Sequence, residues 1–372
     1  MKVSVALIAL ILLAACAPED IPCPEGTLFT SYVVHPDSIF SIEALGSTNP
    51  PGHTFPSDHM GIYLKYDEFD HPYTVNVYCP GDLRLARVRA VEHLVEGITD
   101  FAFDFEACPD IIHIIGHVGA LDEYLFAGYM DLGTWDFEEE YETGGETFRV
   151  SSIQPDWEVS AGTRIGIAGI YQYQGGLDYG MYDYTRSSAT SANPPRWGDY
   201  GYLKAFSPLE YYADGTLKDQ LAALVTRQTF PGDEHPYGQV MQDEPGTARG
   251  CWFFPGGGFP PEDAHLALVE WNTQPDVRTF SVGDQVSSLQ PGIYPVYEPQ
   301  TADLLDRAFE TITPDGEVYG FHVGPDWTPG GWTGTILLHM PDASTLWIEG
   351  FEETIEDPEE WLFTRDMTVF KR

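Results

Sequence analysis

Alternating apolar residues in the first third of the chain restrict it to a fold built largely from β-strands. Residues 100–106 place three phenylalanines on one face of an extended segment and acidic residues on the other, because successive side chains of a strand point in opposite directions. Residues 111–118, Ile-Ile-His-Ile-Ile-Gly-His-Val, have the pattern of a buried strand. Residues 61–66 and 74–78 are two further candidates. The sequence therefore predicts a mainly β protein.

The rest of the chain adds more strand patterns and a few short helices. Apolar spacing predicts a helix over residues 216–228, with Thr216 and Asp219 as a capping box. Residues 85–95 fit either a helix or a strand, and the acidic run 136–146 predicts an exposed loop. A short helix is predicted over residues 302–309. Residues 159–169 predict a turn followed by a strand, and the other predicted strands cover residues 178–184, 265–271, 318–323, 335–340 and 345–351.

Composition excludes some partners. The 372 residues carry a formal charge of −40, with 58 acidic and 18 basic side chains. Nucleic-acid binding requires cations that neutralise phosphates, so nucleic acid is a poor partner. The content of 37 Gly and 29 Pro, together with 14% aromatic residues, agrees with a protein of strands and turns.

The N-terminus predicts export. An apolar run over residues 3–13 follows Lys2 and ends in Leu-Ala-Ala-Cys, which resembles a bacterial lipobox. That resemblance implies a signal peptide over residues 1–15, lipidation of Cys16 and, because Ala17 follows, transfer to the outer membrane. An ordinary signal peptide is the alternative. The expected protein is therefore exported and anchored by lipid in the cell envelope.

Four further cysteines suggest disulfides. An even number in an exported chain predicts two bonds, and the spacing leaves all three pairings open. Free buried thiols are the alternative. The four residues are Cys23, Cys79, Cys108 and Cys251.

Two closely spaced pairs of histidines are the candidate functional residues. His53 and His59 lie in a loop stiffened by prolines, which suits side chains held in fixed positions. His113 and His117 are expected on the same face of the predicted strand 111–118. For each histidine, an ordinary structural role is the competing interpretation.

Four landmarks occur in order between residues 51 and 190. They are His-Met-Gly-Ile-Tyr at 59–63 followed by an extended segment at 75–80, the strand end Ile-Ile-Gly-His-Val at 114–118, Val-Ser-Ala-Gly-Thr-Arg-Ile-Gly at 159–166, and the strand 176–183. This order resembles the lysostaphin-type, or LytM-type, peptidoglycan endopeptidases, which share the duplicated hybrid motif. The resemblance implies an antiparallel β-sheet domain over residues 51–190, after a tether and lead-in at 16–50. A mixed, mostly β region of unknown role follows at 200–372.

The resemblance implies a zinc site, but ligand positions differ. His59 matches the first zinc ligand and His117 matches one catalytic histidine. Tyr63 stands where the family has a ligand Asp, and Gly180 where it has a ligand His. Asp178 stands where the family has its second catalytic histidine. Since a catalytic zinc needs three protein ligands and an open position, the metal is either lost or held by altered ligands.

Two functional hypotheses follow. In the first, an envelope lipoprotein keeps the scaffold of a peptidoglycan hydrolase and binds cell wall or an envelope partner without a metal. In the second, a zinc-dependent endopeptidase has a rebuilt site, with His59 and His53 as metal ligands and His117 and Asp178 as catalytic residues. A third possibility is an envelope lipoprotein with no role at the cell wall.

Overall fold

The protein is mainly β, as the sequence predicts. The computed structural model describes residue 23 and residues 26–172, 175–186, 191–198, 201–259 and 262–372. The predicted signal peptide and Cys16 lie outside the described residues. Among the helices of these described ranges, none combines the length and the apolar character needed to span a membrane.

The strands up to residue 186 form two antiparallel sheets in the described part of the chain. The larger has the order β1-β2-β12-β6-β5-β4-β9-β8, with β10 paired to β4, and the smaller has the order β3-β11-β7. The strands are β1 (Ile39–Glu43), β2 (His59–Leu64), β3 (Val75–Tyr78), β4 (Leu83–His93), β5 (Ile98–Cys108), β6 (Ile111–Val118), β7 (Ala120–Leu121), β8 (Asp136–Thr143), β9 (Glu146–Ile153), β10 (Trp157–Val159), β11 (Arg164–Ala168) and β12 (Gly176–Asp183).

Two sequence interpretations are resolved in this region. The ambiguous segment 85–95 is almost entirely in strand β4. The acidic run 136–146 is not a loop, because β8 and β9 form a hairpin there, with Gly144 and Gly145 both at positive φ. Two positive φ angles are what a two-residue hairpin turn requires. The exposed acidic side chains of β8 also discourage pairing at this sheet edge.

A β-bulge in β6 changes the direction of His117. Phe103 pairs with Ile115 and Phe101 with Val118, so Gly116 and His117 together face a single residue of β5. His117 has a φ of 58°. The expectation that His113 and His117 share a face is therefore wrong: the ring of His113 is buried, whereas His117 points to the opposite face of the sheet.

The second half contains two four-stranded antiparallel sheets, of order β13-β14-β15-β16 and β17-β18-β19-β20. The helices in the described residues are α1 (Pro194–Trp197) and α2 (Thr216–Ala222). The strands are β13 (Gly250–Trp252), β14 (Leu266–Trp271), β15 (Gln274–Val282), β16 (Gly292–Val296), β17 (Val318–Val323), β18 (Gly334–Asp342), β19 (Thr345–Phe351) and β20 (Thr368–Lys371).

The predicted helices are the weakest sequence interpretations. Helix α2 ends six residues before the predicted end at residue 228, and Gly215 precedes it without a side-chain cap. The prediction of a helix over residues 302–309 is wrong. That segment contains bends and isolated bridges, followed by a 3₁₀ turn at Phe309–Thr311. The predicted strands of the second half are confirmed.

Two hydrophobic cores meet at strand β14. Ala267 and Val269 belong to the core under the first sheets, whereas Leu266 and Leu268 belong to the core of the C-terminal sheets. Alternation along one strand thus connects the two halves. The first core also includes Trp197 and other side chains beyond residue 190.

One predicted disulfide is confirmed. Cys23 and Cys108 are bonded, which joins the start of the described chain to the end of β5. The prediction of a second bond is wrong, because Cys79 and Cys251 are buried free thiols. Both lie in the first hydrophobic core, where a thiol behaves as a small apolar side chain.

Candidate functional site

The candidate site is a cleft on the face of the large sheet opposite its hydrophobic core. Its volume is about 1070 Å³. Paired residues in antiparallel strands share a face, so the pairing of His59 with Gly180 and of Gly61 with Asp178 brings His59 and Asp178 onto the same side. The bulge in β6 adds His117 to that side.

Asp178 lies between two imidazoles. Its Oδ1 is 3.3 Å from Nε2 of His59, and its Oδ2 is 3.5 Å from Nε2 of His117. The sequence prediction that His59, His117 and Asp178 come together therefore agrees with the geometry. Each ring is turned toward a different oxygen of the same carboxylate.

A second carboxylate contacts the Nδ1 atom of each ring, on the side away from Asp178. Asp58 Oδ1 is 3.0 Å from Nδ1 of His59, and Asp100 Oδ2 is 2.7 Å from Nδ1 of His117. The hydroxyl of Tyr182 donates a hydrogen bond to the other oxygen of Asp58. These contacts fix the orientation of both imidazoles, as carboxylate partners do in catalytic and metal sites.

The carboxylates favour the charged forms of both histidines. Burial opposes protonation of His59, but Asp178 and Asp58 outweigh it and raise its pKa to about 9. For His117, the charge of Asp178 is the largest influence and, together with Asp100, raises the pKa to about 10 against the effect of burial. Hydrogen bonds from His117 and His93 overcome burial and lower the pKa of Asp100 to about 2. At neutral pH the cleft thus contains alternating positive and negative groups.

Two glycines make room for this arrangement. A Cβ on Gly116 would lie 2.5 Å from Oδ2 of Asp178, and a Cβ on Gly180 would lie 3.2 Å from Cβ of His59. A side chain at position 116 would therefore displace the Asp178 carboxylate. A histidine at position 180, as in the lysostaphin family, would crowd His59.

His53 lies at the edge of the site. Its ring centroid is 5.5 Å from that of His59. Its Nδ1 is 4.0 Å from a carboxylate oxygen of Glu262. This atom has no hydrogen-bond partner among the described residues. His53 is thus close to His59, but the two do not form part of a three-ligand set in the described chain.

The family's zinc site does not fit these residues. Tyr63 donates its hydroxyl proton to Glu43, at 2.8 Å, and is not directed at His59. Gly180 has no ligating atom and little space for one. Among the three positions that match the family's ligands, His59 is the single one with a ligating imidazole, and its Nε2 faces Asp178. These residues therefore do not supply the three ligands of a catalytic zinc site of that type.

Sequence reasoning missed Asp100 and His93. Within the described residues, His93, Asp100 and His117 are the set of potential ligand groups whose atoms all lie within 4.8 Å of one another. A signal for Asp100 was available, because alternation over residues 100–106 places it opposite the three phenylalanines. The position of His93 near Asp100 depends on the strand register that pairs Val91 with Asp100. This register cannot be read from the sequence.

His113 is a structural residue. Its Nδ1 donates to the carbonyl of Gly180 at 2.7 Å, and its ring packs among Phe29, Phe105 and Tyr179. Burial lowers its pKa to about 4, so the ring is neutral at neutral pH. The competing structural interpretation is therefore the correct one for this histidine.

Comparison of the chain with known protein families, with characterised proteins and with solved structures found no match. The geometry of the cleft and the four landmarks are therefore the features that bear on function. Of these landmarks, the strands β2, β6 and β12 are neighbours in one sheet.

Proposed function

We propose that the protein is an exported envelope protein whose cleft binds the peptide portion of bacterial cell wall without cutting it. The observation that carries this proposal is the carboxylate of Asp178 between Nε2 of His59 and Nε2 of His117. An ion-paired cluster occupies these groups where a hydrolase would use them for a metal and a water molecule.

The location of the cleft within the sheet supports the proposed resemblance to cell-wall hydrolases. The landmarks at residues 59–63, 114–118 and 176–183 come from distant parts of the sequence. The sheet order β2-β12-β6 brings them together on one face. The landmarks at 75–80 and 159–166 correspond to β3 and β11, which pair in the smaller sheet. Five separated segments thus contribute to a single compact unit.

The chemistry of the cleft fits a peptide that carries an amine. Carboxylates of Glu43, Glu96, Glu146 and Asp178 line it, with the ring of Tyr63 alongside. Such a lining attracts a cationic group and offers an aromatic surface to the neighbouring chain. Cell-wall stem peptides combine amines, amides and carboxylates, which the acidic and imidazolium groups of the cleft can both engage.

Attachment to the envelope forms part of the proposal. The lipobox-like sequence ending at Cys16 supports export and lipid modification, which would place the cleft beside the cell wall. Mass spectrometry of the protein purified from a bacterial membrane fraction tests this element. A diacylated and N-acylated N-terminal Cys16 is expected, and an unmodified N-terminus produced by cleavage at another residue would overturn it.

Co-sedimentation with purified peptidoglycan sacculi tests the binding function. The protein without its lipid anchor is incubated with sacculi, and the supernatant is analysed for released muropeptides by liquid chromatography. We expect saturable binding, no released fragments, and binding weakened at least tenfold in an Asp178→Ala variant. Glu360→Ala is the matched control, because Glu360 is an exposed acid that does not line the cleft.

Each other outcome assigns a different function. Release of muropeptides that is abolished by Asp178→Ala would favour the endopeptidase with rebuilt ligands. Absence of binding to sacculi would overturn the wall-binding proposal and leave an envelope protein with another role. Equal binding by Asp178→Ala and the native chain would show that sacculi contact some other surface.

A further inference from the structure

We propose that His93, Asp100 and His117 bind a divalent transition-metal ion beside the cleft. This site differs from the lysostaphin-type zinc site, because it uses residues of β4, β5 and β6 and neither His59 nor position 180. It does not depend on whether the cleft binds cell wall.

The three potential ligand atoms lie within 4.8 Å of one another. Oδ2 of Asp100 is 3.2 Å from Nε2 of His93 and 2.7 Å from Nδ1 of His117. Ligand atoms of a tetrahedral zinc ion with bonds of about 2.0–2.1 Å lie about 3.3 Å apart. The contact to His93 already has this length. The contact to His117 must lengthen by about 0.6 Å, and the side chain of His117 is 41% exposed.

The sheet preorganises the site. His93 is the last residue of β4, and Asp100 lies near the start of β5. Val91 pairs with Asp100, and His93, two residues after Val91, lies on the same face of the sheet as this pair. Regular pairing would direct His117 away from them. The bulge and the positive φ of His117 turn its ring toward Asp100 instead. Non-glycine residues at positive φ are uncommon and cluster at functional sites.

A carboxylate lies near the outer nitrogen of each imidazole, the position that carboxylates often take around bound metals. Oδ2 of Asp178 is 3.5 Å from Nε2 of His117, the nitrogen that would not bind the metal. Oε2 of Glu96 is 3.9 Å from Nδ1 of His93, again the outer nitrogen. Carboxylates in this position select the ring tautomer and make the ligand nitrogen more basic.

The donor set determines the class of ion. Two imidazoles and one carboxylate suit zinc, cobalt, nickel or copper, whereas magnesium and calcium prefer oxygen ligands. Three protein ligands leave one coordination position for water or a ligand group. Without metal, Asp100 accepts hydrogen bonds from both rings, so metal binding must displace the protons on Nε2 of His93 and on Nδ1 of His117.

Metal titration of the native, tag-free protein tests the site. Zn²⁺ affinity is measured by isothermal titration calorimetry, and Co²⁺ binding by the visible absorption of a four-coordinate ion. We expect one equivalent bound, a loss of affinity of at least a hundredfold in His93→Ala, and a loss of about tenfold in Glu96→Gln. His71→Ala is the control, because His71 is an exposed loop residue outside the set.

Failure can be assigned to a specific cause. His93 is at the end of a strand and is the safest ligand to remove; circular dichroism verifies that each variant is folded. Equal Zn²⁺ affinity in His93→Ala and the native chain would overturn the proposal, as would the absence of binding. Loss of binding in His59→Ala with full binding in His93→Ala would place the metal at the family position instead. Binding of metal-free protein to cell wall would neither support nor contradict the metal site, because the two proposals are tested separately.

Discussion

The buried ring of His113 predicts a specific loss of stability in acid. Its pKa is lowered by burial from 6.5 to about 4 in the folded protein. Between pH 6.5 and about pH 4, His113 is protonated in the unfolded chain but neutral in the folded protein. The free energy of unfolding therefore falls as the pH falls through this range. At about 1.36 kcal/mol per pKa unit, His113 contributes a loss of roughly 2.5 kcal/mol between pH 7.5 and pH 4.5.

The His113→Asn variant isolates this contribution. Its amide can still donate to the carbonyl of Gly180, but it does not titrate. Urea unfolding followed by tryptophan fluorescence gives the free energy of unfolding at both pH values for native and variant chains. The loss on acidification is expected to be smaller by roughly 2.5 kcal/mol in the variant, whatever its stability at pH 7.5.

His71→Asn is the matched control, because His71 is an exposed histidine of a loop. It should show the acid loss of the native protein. The reasoning is refuted if His113→Asn loses as much stability on acidification as the native chain. Such a result would mean that His113 is charged or solvated in the folded state.

Three further substitutions test the site and the fold. Gly116→Ala should weaken binding to sacculi as much as Asp178→Ala does, because its Cβ would lie 2.5 Å from the Asp178 carboxylate. Replacing both Cys23 and Cys108 with Ala should lower the free energy of unfolding by about 2–4 kcal/mol, because the bond closes a long loop. Glu262→Ala should cost about 2–4 kcal/mol, because it leaves a buried amide and a tyrosine hydroxyl without their acceptor.

Each has its own check. Unchanged circular dichroism in Gly116→Ala separates a local displacement from misfolding, and native binding to sacculi would contradict the proposed role of Asp178. Reductant should destabilise the native chain but not the Cys23/Cys108 double variant; equal effects would argue against the bond. Glu262→Gln should lose less stability than Glu262→Ala, and an equal loss would indicate that the hydrogen bonds are unimportant.

Local alternation was enough to predict about half of the strands in the described residues. Phe101, Phe103 and Phe105 identified the core face of β5, since the period of a strand is set by covalent geometry. The hairpin of β8 and β9 was missed because its first strand is exposed on both faces and lacks alternation. Its Gly-Gly turn was the better signal.

Features that depend on pairing were not accessible from one sequence. The bulge that redirects His117 exists only in register with β5, and the contact of His93 with Asp100 depends on the β4–β5 hairpin. Disulfide pairing has the same limit, because an even count of cysteines does not exclude buried thiols. By contrast, the convergence of His59, His117 and Asp178 could be predicted, since the landmark order specified which strands should be neighbours.

The pKa of His59 tests the ion-paired cluster on which the proposed function depends. In metal-free protein, the ring resonances of His59 are followed by NMR from pH 5 to 10 and assigned with a His59→Gln variant. We predict titration near pH 9 and a pKa lower by about 1–3 units in Asp178→Asn. A His59 that titrates near 6.5 and is unaffected by Asp178→Asn would contradict the account.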